Sequence, residues 1–268
     1  MNPSDSSSDP KKKVTNLALK GNLSAACVTL QGTKPATDVA DTLTKLQAKH
    51  PTEPPFSPPP NNQDSYTVSD GIVLSCLKSF RNGTGGGPFG LLPEHLLTAC
   101  NSPTHADFIK NLTNLINLML EGRTDKSIVP FLFGANLTAL EKEGGDVRPI
   151  AIGNTLRRLA AKCISAKYAE DLKKILQPHQ SAIGKAGGIE TVIHTMRNFL
   201  DEHNSSDLAV LKIDIRNAFN CLYRATITHK FNQYLPKAVN YINTCYGSPS
   251  LLFYAWQNHH FLAWCAAG

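Results

Sequence analysis

Apolar side chains recur at helical spacing in several parts of this chain. A spacing of three and four residues is typical of helices that bury one face, and it occurs in the stretches 39–46, 72–80, 108–119, 154–176 and 189–200. Ser69 and Asp70 stand before the second stretch as a helix cap, and Pro178 ends the fourth. The pattern therefore predicts a largely helical protein.

Shorter apolar runs predict strands. Residues 131–142 and 147–152 flank the turn EGGD, which indicates a hairpin that presents Lys142 and Arg148 near one another. A later run, LAVLKID, has the length of a buried strand and ends at Asp214. The order of helices, hairpin, helices and strand favours an α+β fold over a regular βαβ alternation.

Local composition divides the amino-terminal part of the chain. Residues 1–13 are polar and rich in Ser, Asp and Lys, so we expect a disordered leader. Residues 14–50 form a helical upstream segment. Residues 51–63, PTEPPFSPPPNNQ, are expected to be a proline-rich linker, because internal prolines disrupt a helix.

Charge is distributed unevenly. The 268 residues are 41% hydrophobic, which is enough for a core, and their net charge is +6. That excess is compatible with a polyanionic partner, and equally with a solvated lysine-rich surface. From residue 215 to residue 268 there are four basic residues and no Asp or Glu.

Cysteine spacing and hydropathy argue against a zinc-binding, a secreted or a membrane-spanning protein. None of the seven cysteines forms a C-x-x-C pair, and His259, His260 and Cys265 lack a fourth zinc ligand nearby. The amino terminus lacks the apolar core of a secretory signal, and polar residues interrupt the uncharged stretch after Lys237. We expect an intracellular protein, nuclear or cytoplasmic, without a membrane span.

Two local features leave alternatives open. Four of the five residues 83–87 are glycine, which suits a flexible turn or a close approach of phosphate to the backbone, and the absence of a following G-K-S/T favours flexibility. Asp214 either caps the helix that follows it or holds a divalent cation at the end of a strand.

Three segments together resemble a known family. LTALEKEGGDVRPIAIGNTLRRLAAK, LQPHQSAIGKAGGIE and LKIDIRNAFN resemble, in order and spacing, motifs of the reverse transcriptase domain of non-LTR (LINE-like) retrotransposons. GTGGGPFGLLPEHLL resembles the loop and helix start that precede the fingers in those enzymes. On this resemblance residues 64–254 are the fingers and partial palm of a right-hand polymerase, and residues 255–268 are an atypical tail.

The resemblance implies nucleotidyl transfer from a deoxynucleoside triphosphate to a DNA primer on an RNA template. Such transfer uses two Mg²⁺ ions held by at least two carboxylates, and Asp214 matches the first catalytic, metal-binding aspartate. Phe219 matches the bulky residue that excludes a ribose 2′-hydroxyl. Lys142 and Arg148 match the fingers residues that grip the triphosphate. We therefore expect these four residues to converge on one open cleft.

Three further residues match nucleic-acid-binding positions of the family. Arg158 corresponds to a basic position after the RPI box, where it would contact template or primer phosphate. Gln180 and Gly184 match a Q-x-x-x-G segment near the templating base. Each candidate also has an ordinary explanation: a surface arginine, turn geometry, a core phenylalanine at Phe219, or an exposed charged hairpin.

The sequence departs from the family in two places. Phe89 stands where the family's G-P-D-G loop has its aspartate, and the paired aspartates expected after Asp214 are missing. We therefore expect a carboxyl-terminally truncated domain with an incomplete Mg²⁺ site that does not polymerise. A non-catalytic nucleic-acid-binding remnant and a helical interaction protein are the alternative interpretations.

Overall fold

A computed structural model of the chain describes residues 10–19, 21, 23–31, 36, 39–50, 53–142, 144–181, 183, 186–203, 208–215, 217–248, 250–254 and 261–263. Within these residues the chain adopts an α+β fold, which confirms the class that the order of elements predicts.

Helices make up most of the described chain. Before the hairpin lie α1 (Pro10–Leu19), α2 (Leu23–Gln31), α3 (Val39–Ala48), α4 (Asp70–Lys78), α5 (Pro93–Cys100), α6 (His105–Leu120) and α7 (Val129–Leu132). After it lie α8 (Thr155–Lys167), α9 (Ala169–Leu176), α10 (Gly188–Glu202), α11 (Arg224–Tyr234) and α12 (Val239–Tyr246), with 3₁₀ turns at Ala218–Cys221 and Pro236–Ala238. The predicted helical stretches are confirmed, although the stretch 154–176 divides at Tyr168 into α8 and α9.

The strands β1 (Ala135–Glu141), β2 (Val147–Gly153), β3 (Leu251–Tyr254) and β4 (Phe261–Ala263) form one sheet in the order β2-β1-β3-β4. The predicted hairpin is confirmed, because β1 and β2 pair antiparallel from Ala135 opposite Gly153 to Glu141 opposite Val147. β3 runs parallel to β1, and β4 antiparallel to β3. Residues 261–263 of the atypical tail are thus a strand of this sheet.

One face of the hairpin packs against α3. Ala135, Leu137 and Ala139 alternate along β1 and are buried together with Leu46 of α3, as expected for a strand with one covered face. Lys45 Nζ donates to the Gly145 carbonyl at 2.6 Å. The Lys49 ammonium pairs with the Asp146 carboxylate at 2.9 Å. These contacts attach the hairpin turn to α3.

The main core lies between α4, α6, α8 and α12. Their helical spacing turns apolar residues toward one another, and the buried members include Leu77, Ile116, Leu159, Cys163 and Ile242. Burial raises the pKa of the Cys163 thiol to about 12. Full burial of such side chains provides the main favourable term of folding. The core therefore fixes α4 and α8 side by side.

The proline-rich segment is bound to the fold rather than free. Asn240 of α12 accepts from the Asn62 backbone N–H at 2.7 Å and donates to the Asn62 carbonyl at 2.9 Å. The Asn243 amide donates to the Pro59 carbonyl at 2.7 Å. Side-chain amides of α12 thus satisfy backbone polar groups of this segment.

One strand predicted from the sequence is absent from the described residues. LAVLKID, residues 208–214, is not a strand: it pairs with no described strand, and residues 208–215 are all exposed. A strand needs a neighbouring strand for its backbone groups, and an apolar run alone does not provide one. Residues 10–13 of the predicted disordered leader belong to α1, whose first residue is Pro10, a position that tolerates proline. Residues 1–9 lie outside the described residues.

Candidate nucleic-acid interface

A groove of about 790 Å³ lies between α4 and α8. Its lining combines apolar surface with polar and basic side chains, and it consists of Ser75, Cys76, Ser79, Phe80, Arg81, Thr84, Arg158, Ala161, Lys162, Ser165 and Ala166. The buried face of α8 turns Leu159, Ala160 and Cys163 inward. Arg158 and Lys162, one helical turn apart, therefore lie on the opposite side, at the groove.

Arg158 is held in place by backbone and side-chain acceptors. Its Nη2 donates to the Gly85 carbonyl and, at 3.2 Å, to Thr155 Oγ1. Its Nε is buried and has no hydrogen-bond partner among the described residues. Burial lowers the pKa of the Arg158 guanidinium from its ordinary value. These contacts fix the guanidinium beside the glycine-rich loop at the edge of the groove.

Phe80 organises the cations of the groove. The Arg158 guanidinium carbon lies 5.6 Å, and the Lys162 ammonium 5.0 Å, from the centre of its ring. Both distances fit cation–π attraction. Lys162 Nζ also donates to Ser79 Oγ at 3.0 Å. The aromatic ring thus holds two cations close together, and both keep their positive charge.

The groove carries positive charge that no acidic side chain balances. Arg81, Arg158 and Lys162 line it, and no Asp or Glu does. In the described part of the chain, none of these three cations forms a salt bridge. Unpaired cations beside serine and threonine hydroxyls suit the phosphates and sugars of a nucleic acid.

The glycine-rich loop closes one end of the groove. A Cβ at Gly86 would lie 2.6 Å from the Gly90 carbonyl carbon, and a Cβ at Gly87 would lie 2.5 Å from the Gly153 carbonyl oxygen. Gly87 also has a φ of +71°. Gly86 is therefore required for the tight turn of the loop and Gly87 for its close packing on β2, an explanation that differs from the expected flexibility.

A second, smaller cavity of about 270 Å³ adjoins the sheet. Arg157 and Arg158 both line it, together with polar side chains of His50, Asn220 and Ser250. Arg157 is engaged internally, because its Nη1 donates to the Phe133 carbonyl at 2.6 Å. Burial raises the pKa of the neighbouring Cys245 thiol to about 11. This cavity shares Arg158 with the groove, and its other arginine, Arg157, is engaged by the Phe133 carbonyl.

The residues expected to bind a nucleotide are not brought together in either cavity. Lys142 continues the β1 ladder through its N–H bond to the Asp146 carbonyl, and Arg148 lies opposite Leu140. Strand alternation therefore puts both side chains on the face away from α3. Both are exposed.

Asp214 and Phe219 belong to the stretch of chain that follows α10. Asp214 is exposed in the unpaired segment 208–215, and Phe219 is 82% exposed in a 3₁₀ turn. The Asn217 amide donates to the Lys49 carbonyl at 2.6 Å, at the end of α3. The neighbours of Phe219 thus contact the α3 side of the sheet.

The remaining candidates add little to a site. Gln180 ends the turn after α9, where its carbonyl accepts from Gln177 Nε2 at 2.8 Å. Gly184 lies outside the described residues.

No group of three potential metal ligands occurs in the described part of the chain. The helices that the structure describes include none with the length and apolarity needed to cross a bilayer.

Arg81, Lys162 and Phe80 were missed by sequence reasoning, which selected Arg158 alone. A signal was present: Arg158 and Lys162 are four residues apart in a predicted helix. Their convergence with Phe80 and Arg81 depends on how α4 packs against α8, and sequence spacing does not show that.

No model of a known protein family matches the chain, and a search of curated proteins finds no match either.

Proposed function

We propose that this chain is a nucleic-acid-binding module built as the fingers and first part of the palm of a LINE-like reverse transcriptase, and that by itself it binds but does not polymerise. The observation that carries the proposal is the groove between α4 and α8, whose Arg81, Arg158 and Lys162 have no carboxylate partner among the described residues. Its ligand is RNA or a primer–template duplex, held through phosphate and sugar.

Local geometry supports this assignment in three ways. The glycine loop, the hairpin and α8 follow one another in the order of the motifs that resemble the family. Arg158, which matches a nucleic-acid position of that family, lines the groove. Phe80 keeps two cations close together in an environment where their charge is not screened by a paired acid.

Catalysis has much weaker support. Asp214 is one carboxylate, exposed and without a second acidic residue after it, whereas nucleotidyl transfer needs two cations held by at least two carboxylates. In a complete domain of the family, Mg²⁺ at Asp214 and a triphosphate at Lys142, Arg148 and Phe219 would complete the reaction site. In this chain we assign those residues no turnover.

The direct test is binding of a fluorescent RNA and of a primed RNA to the 268-residue chain by anisotropy. The double variant Arg81→Gln, Lys162→Gln removes two groove charges and leaves the Arg158 bonds to Gly85 and Thr155 intact. We expect it to weaken binding about tenfold, since each cation contacts phosphate.

The matched control is Lys173→Gln, Lys174→Gln on α9. It removes the same charge from exposed positions that do not line the groove, so we expect much less loss. Equal weakening by both pairs would mean that only net charge matters, and the groove would not be the binding site.

A further inference from the structure

Residues 208–215 form an exposed segment with an unusual self-complementary pattern. Leu211, Ile213 and Ile215 are 83%, 76% and 68% exposed. Between them stand Lys212 and Asp214, which are also exposed and form no salt bridge among the described residues. In an extended conformation the three apolar side chains would share one face and the two charges the other.

We infer that this segment is a dimerisation strand, and that its partner is the same segment of a second copy of this chain, paired antiparallel about Ile213. In this register Ile213 lies opposite Ile213 of the second copy, and Leu211 lies opposite Ile215. Lys212 lies opposite Asp214 on both sides of the two-fold axis. The pairing provides the neighbour that LAVLKID lacks within its own chain.

The charges select this register over its neighbours. A shift by two residues in one direction puts Lys212 opposite Lys212, and a shift in the other puts Asp214 opposite Asp214. Shifts by one residue put apolar side chains opposite charged ones. A parallel in-register pair brings like charges together. Opposite charges directly across a ladder are favourable and like charges unfavourable.

The helix that precedes the segment supplies the rest of the interface. A short ladder buries less surface than a stable dimer needs, which is about 1,200–2,000 Å². α10 carries an apolar stripe that its own fold leaves exposed, and it consists of Ile189, Val192, Ile193, Met196, Phe199 and Leu200. An exposed stripe of this kind marks an interaction surface, and it lies directly before the pairing segment in the chain.

The dimer does not rest on the proposed function, because the groove lies between α4 and α8. It does engage Asp214, whose carboxylate would face Lys212 of the second copy instead of a cation. Dimerisation and nucleic-acid binding can therefore fail separately, and each is measured without the other.

The inference is tested by swapping the charges at Lys212 and Asp214. Sedimentation velocity of the full chain, without nucleic acid, measures dimerisation of each variant. The unmodified chain should be a dimer at micromolar concentration. Lys212→Asp and Asp214→Lys each create two like-charge pairs, so each should raise the dissociation constant at least about tenfold. The double variant Lys212→Asp, Asp214→Lys restores opposite charges and should restore the dimer to within about threefold.

Far-UV circular dichroism should be the same for all four proteins, because the changed side chains are exposed.

As a second readout, Ile213→Cys should cross-link two copies under glutathione disulfide, with one disulfide formed for each glutathione disulfide reduced to two thiols. Leu211→Cys should not cross-link above the parent chain, since the two copies of residue 211 lie far apart in this register. A monomer at about 100 µM, an assembly larger than a dimer, single variants that still dimerise, or a double variant that stays monomeric would each overturn the inference.

Discussion

At the residue scale, the groove depends on glycines of the neighbouring loop as well as on its own charged side chains. Gly87 lets the glycine loop approach β2, and the loop in turn offers the Gly85 carbonyl to Arg158. The sequence pointed to the glycine cluster and to Arg158 as separate features. It did not connect them, because the contact joins residues far apart in the chain.

Gly87→Ala should destabilise the protein and misplace the loop. The new Cβ would meet the Gly153 carbonyl at 2.5 Å, and the φ of +71° adds roughly 1 kcal/mol of backbone strain. Gly83→Ala is the matched control, because Gly83 has a φ of +78° but nothing within 4 Å of its Cβ position. Thermal unfolding should show a larger loss for Gly87→Ala. Equal losses would mean that only the backbone conformation matters and that the loop does not need this close approach.

At the element scale, the sequence predicted the helical stretches correctly, whereas the strand that it predicted after α10 is absent from the described residues. Helical bonds are local, so a period of 3.6 residues in α6 or α10 is sufficient evidence for a helix. The same period did not reveal that the apolar face of α10 stays exposed, since exposure depends on the other elements. LAVLKID has strand composition, but its backbone finds no partner among the described strands.

The proline-rich segment is another element whose contacts could not be predicted from the sequence. Its composition indicated a linker, yet Glu53 at its start forms a buried ion pair with Arg224 of α11, with 2.7 Å between Oε2 and Nε. The two side chains are only 5% and 9% exposed. Glu53 Oε1 also accepts from the Ala225 backbone N–H at 2.9 Å. The segment is therefore tied to the fold at both ends.

Glu53→Gln should cost about 3 kcal/mol of unfolding free energy, because it leaves Arg224 buried without its counter-charge. Urea denaturation provides the measurement. Asp64→Asn is the control, since it breaks the Lys237 pair, whose side chains are largely exposed, and exposed pairs contribute little. A loss for Glu53→Gln no greater than that for the control would mean that the segment is not anchored there.

At the scale of the whole molecule, the basic groove and Asp214 belong to different elements. The groove is built from elements of the main core, whereas Asp214 lies in the exposed segment 208–215. The proposed binding therefore rests on residues packed against the main core and does not depend on Asp214.

The purified 268-residue chain should not extend a primer on an RNA template with Mg²⁺ present, because Asp214 alone cannot hold two catalytic cations. Incorporation of labelled deoxynucleotides should equal that of an Asp214→Asn variant. Incorporation above that variant would contradict the assignment of binding without turnover.

The most direct measurement of the central claim is the salt dependence of RNA binding. Each phosphate contact releases counterions, so the logarithm of the binding constant falls with the logarithm of salt concentration by about one unit per cation that contacts phosphate. Arg81→Gln, Lys162→Gln should reduce that slope by about two, while Lys173→Gln, Lys174→Gln should leave it near that of the unmodified chain. An unchanged slope for the groove variant would show that Arg81 and Lys162 do not contact nucleic acid.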